Sequence, residues 1–107
     1  MGEEFEALGT LDQEMLMSRM ANELPQIRKA LKLEAEEFAG KVGMDVKKLL
    51  QIETGEQTMK WSEFMSILFL IWNNEIGRNL LETKGLFPKE LKKAMSINRN
   101  AHPPVTG

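Results

Sequence analysis

The chain has 107 residues, 42% of them apolar and 28% charged, with a formal net charge of -2. This is the size and balance of one self-sufficient globular domain. Cysteine is absent and His102 is the only histidine, which excludes disulfides, thiolate chemistry and sulfur-ligated zinc, and leaves a Ser-His or Cys-His relay without a plausible base.

No enzyme, cofactor, metal or small-molecule ligand is therefore expected. In chain order, residues 1–10 (MGEEFEALGT) form an acidic head, expected to be flexible, without the basic start and apolar stretch of a secretory signal. The charge is uneven: residues 1–25 carry six acids and one base, residues 26–60 six acids and seven bases, and residues 61–107 four acids and six bases. Neither the acidic head nor the near-neutral middle is a strong electrostatic footprint.

The domain is expected over residues 11–95, all-helical, because sustained alternation and hairpin turns are missing. Leu16, Met20, Leu24, Ile27 and Leu31 recur at steps of four or three, one helical face. Pro25 interrupts this stripe, and proline suits a first turn better than an interior. The reading is one helix over about 12–21 and a second, capped by Asn22, to about Lys32; a single long helix kinked at Pro25 is the alternative. A helix over about 34–42 stops at Gly43, and another over 46–54, capped by Asp45, stops at Gly55.

A helix over about 61–72 is apolar on nearly every side, which predicts full burial as a central post or a subunit interface. Its longest apolar run, Ile67 to Trp72, is far short of the ~20 residues of a membrane span. No membrane association and a cytoplasmic location are expected. Asn73 or Asn74 caps a helix over about 75–84, closed by Gly85. Pro88 opens a last helix to about Met95. The tail from Ser96 has no apolar period and is expected to be loose.

The informative stretch is residues 35–54, AEEFAGKVGMDVKKLLQIET. Two helices joined by a three- or four-residue turn need a small residue where they cross, here Ala39. They also need a residue tolerant of positive φ in the turn, here Gly43. Phe38, Val42, Met44, Leu49 and Ile52 fall at the spacings that fill the inside of the corner. A helical hairpin in an unrelated bundle is the plainer alternative.

This stretch resembles the helix-turn-helix of the phage-repressor (Cro/cI-type, xenobiotic-response-element) family. Ile27-Arg28-Lys29-Ala30-Leu31 looks like that family's first helix, Ile52-Glu53-Thr54-Gly55 like its closing segment, and Trp61-Ser62-Glu63-Phe64 like the start of its fourth helix. The resemblance covers about residues 23–73. It implies a lambda-repressor-like helical bundle with an extra N-terminal helix and one or two C-terminal helices. It also implies a homodimeric transcriptional regulator that lays helix 46–54 in the major groove of double-stranded DNA.

Carried over by position, the recognition surface is Asp45, Val46, Lys47, Leu50, Gln51 and Thr54. Val46, Lys47, Leu50 and Gln51 are the candidates for base contact. Arg28, Lys41 and Lys48 are the candidates for phosphate contact. Lys47 and Lys48 read equally as a solvated helix face, and Leu50 equally as a small patch for a protein partner. The family usually has Ser or Thr then Gln where Glu34 and Ala35 stand, and often a basic residue where Glu56 stands. These carboxylates motivate an alternative function: the same corner as a protein-interaction module.

Overall fold

A computed structural model describes residues 9–96. It is all-helical there, with six helices and no strand: α1 Thr10–Leu31, α2 Ala35–Val42, α3 Val46–Thr54, α4 Trp61–Trp72, α5 Glu75–Thr83 and α6 Lys89–Met95. No helix among the described residues is long and apolar enough to cross a membrane. Most of the acidic head, residues 1–8, and most of the tail, residues 97–107 with His102, lie outside the described residues.

The largest departure from the sequence reading is α1. Residues 12–32 are not two helices; Asn22 caps nothing and Pro25 sits inside one helix of 22 residues. The stripe explains why. Leu16, Met20, Leu24 and Ile27 are all buried, so one continuous face delivers four side chains to the core, and breaking it would expose half of them. Pro25 itself is exposed, so the hydrogen bond it cannot donate is missing on the solvent side, where water can serve the orphaned carbonyl.

α1 is the scaffold on which α3, α4 and α5 pack; α2 packs on α3 and α4, and α4 on α5. The core joins residues of every helix, among them Met20, Leu24 and Ile27 of α1, Phe38 and Ala39 of α2, Leu49 and Ile52 of α3, Phe64, Ile67 and Ile71 of α4, Leu81 of α5 and Leu91 of α6. α4 is less buried than its composition predicts. Phe64, Ile67, Leu68 and Ile71 enter the core, but Ser62, Ser66 and Phe69 form a solvent-facing stripe, with Phe69 72% exposed. An apolar helix at the edge of a small bundle has neighbours on only part of its circumference.

Four helices end in the same way. A left-handed residue follows α1, α2 and α3 directly and follows α5 after Lys84, and the amide after it donates back to a carbonyl of the last turn: Leu33 to Arg28, Met44 to Ala39, Glu56 to Gln51 and Leu86 to Leu81, at 2.8–2.9 Å. This is the Schellman closure. Glycine fills the left-handed position three times, and Lys32 fills it once, at φ 60. Asn74 caps α5 by accepting from the Gly77 amide at 3.0 Å, whereas Asp45 stands at the N-cap of α3 without a side-chain hydrogen bond.

Candidate nucleic-acid interface

The corner between α2 and α3 is built from its glycine outward. Gly43, at φ 73 and ψ 35, turns the chain after Val42. Its amide donates to the Gly40 carbonyl at 3.3 Å and the Met44 amide to the Ala39 carbonyl at 2.8 Å. Ala39, Phe38, Leu49 and Ile52 are buried, while Val42 and Met44 are half-buried against the core. The seven residues expected to shape the corner are thus placed in it or in the core beneath it.

With Leu49 and Ile52 buried, helical geometry forces Lys47, Leu50, Gln51 and Thr54 onto the opposite face, spaced as one stripe. Lys47, Leu50 and Thr54 are exposed and Gln51 is half-buried; Leu50 is 45% exposed. Val46 packs against the core instead of projecting freely. Lys41 is exposed at the end of α2, and Glu36, Glu37, Asp45 and Glu56 are exposed around the same corner.

Two of the three expected phosphate contacts are engaged within the chain. Arg28 forms a two-pronged ion pair with Glu53 across α1 and α3: Nε donates to Oε2 at 2.7 Å and Nη2 to Oε1 at 2.9 Å, while Nη1 donates to the Leu33 carbonyl at 3.1 Å. The side chains are only 15% and 6% exposed. The Glu53 hydrogen bond raises the Arg28 pKa further, against the opposing effect of burial. Lys48 donates to Glu63 of α4 at 2.5 Å. Burial would push the Glu63 carboxyl up, but the bond from Lys48 and another from the Lys60 backbone amide at 2.7 Å hold it below its ordinary value.

Sequence reasoning passed over Glu53 as a partner. A signal was present: Glu53 is four residues from Leu49 and adjacent to Ile52, at the edge of the buried stripe, where a carboxylate needs a cation. It also passed over Gln57. The Gln57 side-chain amide donates to Gln51 Oε1 at 2.9 Å, and the Gln51 backbone carbonyl accepts from the amides of Glu56 and Gln57 and from the Thr54 hydroxyl, at 2.8, 3.2 and 3.1 Å. The α3–α4 loop is therefore tied to a residue of the exposed stripe.

Comparison with protein-family models, with curated proteins and with solved structures finds no match.

Proposed function

We propose that α2, the Gly43 turn and α3 form a helix-turn-helix in a lambda-repressor-like bundle, and that the protein regulates transcription by laying α3 in the major groove of double-stranded DNA. The observation that carries this reading is the solvent stripe of α3, Lys47, Leu50, Gln51 and Thr54, held outward by buried Leu49 and Ile52. A lysine and an amide can hydrogen-bond base edges, and a leucine can meet a thymine methyl. Lys41 remains free for a phosphate, whereas Arg28 and Lys48 stiffen the frame by pairing with Glu53 and Glu63. The chain acts as a homodimer, because exposed Phe69 and Ile76 leave apolar surface that one protomer does not cover.

Fluorescence anisotropy of a labelled duplex tests the reading. Binding at low salt that weakens steadily as salt rises supports it. No change in anisotropy at low salt overturns it.

A second reading draws on the same surface. The exposed carboxylates Glu36, Glu37, Asp45 and Glu56 beside exposed Leu50 suit a protein partner with an apolar contact and a basic rim. Failure to bind any duplex, with the fold intact, favours this interaction module over the DNA reading.

A further inference from the structure

We infer that Leu50 makes the DNA affinity of α3 depend on a pyrimidine C5 methyl group in the major groove, so that methylation of cytosine tunes binding; this rests on the DNA reading of α3. Leu50 is 45% exposed, and the other exposed large hydrophobic residues among the described ones, Leu11, Met15, Phe69, Ile76 and Met95, belong to α1, α4, α5 and α6. Along α3 its neighbours are polar: Lys47 three residues before it, Gln51 beside it and Thr54 four residues after it. Val46, the apolar residue one turn back, packs against the core. Leu50 is thus one apolar point in a polar stripe. A surface that binds a protein through apolar contact presents a contiguous patch; a single leucine matches a single small apolar group.

The leucine side chain neither donates nor accepts a hydrogen bond. Set against a base carbonyl or amino group, it strips away water and puts nothing in its place. The methyl group that unmodified base pairs present in the major groove is the C5 methyl of thymine. Cytosine carries a hydrogen at C5, and 5-methylcytosine carries a methyl group at that same ring position. Leu50 has no means of telling the two methylated pyrimidines apart; their exocyclic groups are read by side chains that hydrogen-bond, Lys47 and Gln51. An unmodified cytosine facing Leu50 is therefore a poor partner until it is methylated. Burial of one methyl group against the leucine corresponds to about a fourfold gain in affinity per half-site, or about 15-fold over the two half-sites of a dimer.

The test uses the full chain and the variant L50A, which leaves the core untouched; melting curves check that it is folded. Selection from a randomised duplex pool gives the site bound by the parent. Each thymine of that site is then replaced in turn by deoxyuridine, which removes the methyl group and keeps every hydrogen-bonding atom. At one position per half-site the parent loses about fourfold in affinity, and L50A loses nothing there. With that T·A pair changed to C·G, the parent binds 5-methylcytosine about fourfold more tightly than cytosine, and L50A binds the two equally. If no thymine-to-uracil change weakens the parent, or L50A keeps the whole loss, the inference is overturned while DNA binding stands. Equal binding of cytosine and 5-methylcytosine by the parent also overturns it. If the parent binds no duplex at all, the DNA reading itself has failed and the inference falls with it.

Discussion

Lys32 ends α1 in a conformation that side chains avoid, φ 60 and ψ 41. The sequence marks the right place for the helix to end, but there the structure puts a lysine in the position that glycine holds after α2, α3 and α5. A non-glycine residue there costs roughly 1–2 kcal/mol, partly offset by the freedom glycine loses on folding. Lys32 is exposed, so K32G should stabilise the fold by about 0.5–1 kcal/mol, visible as a rise of a few degrees in melting temperature. A lower melting temperature would show that the lysine stem makes contacts worth more than the strain. The Arg28–Glu53 pair makes the opposite demand. It is nearly closed to water, and E53Q leaves the guanidinium facing a neutral group, so a loss of about 2–3 kcal/mol is expected by chemical denaturation. Glu63 supplies the pH dependence. Its folded pKa lies below its unfolded value, so its stabilising contribution is complete above about pH 4.3 and is lost as pH falls through the lowered folded value. E63Q should therefore flatten the acid limb of stability against pH and lower the plateau at neutral pH.

At the scale of the helix, five of the six elements were legible from apolar spacing and from glycine, and α1 was legible only as the alternative of one long helix through Pro25. Proline in a helix interior is a strong local signal, but Leu16, Met20, Leu24 and Ile27 share one face across it, and their burial outweighs the break. Proline costs about 3 kcal/mol against alanine inside a helix, and about 1 kcal/mol of that returns because proline also restrains the unfolded chain. P25A removes no buried contact, so a gain of about 2 kcal/mol is expected from thermal or denaturant unfolding. An unchanged or lower stability would mean that α1 has adapted its shape to the proline. Gly77 is the reverse case. Read as a sequence, it is an unremarked weakness inside α5; in the structure, a methyl group there would lie 2.3 Å from the Ile71 carbonyl oxygen and 2.7 Å from its Cγ2. No spacing rule reports so close an approach of α5 to α4, because it depends on how two helices cross and not on either one. G77A should cost about 1–3 kcal/mol by overpacking, despite the better helix propensity of alanine.

Over the whole molecule, charge decides how strongly the proposed interface holds DNA. The sequence shows the lysines and arginines but not which of them are occupied, because Arg28 is 25 residues from Glu53 and Lys48 is 15 residues from Glu63 in the chain; pairing at that range is set by packing alone. With those two cations neutralised, Lys41 and Lys47 are the exposed cations of the corner. Each phosphate neutralised contributes about -0.9 to the slope of log affinity against log salt. With Lys41 on a phosphate and Lys47 adding its charge from the groove, the slope is at most about -2 for one protomer and about -4 for a dimer. The salt slope therefore reports the stoichiometry of the complex as well as its electrostatics. If Phe69 lies in the dimer contact, F69E should shift sedimentation toward the monomer, halve the salt slope and weaken operator binding, with the α2–α3 corner still folded. A slope far steeper than about -4 would mean that Arg28 and Lys48 leave Glu53 and Glu63 to meet phosphate. In that case E53Q and E63Q, by freeing those cations, would tighten nonspecific binding even as they destabilise the fold.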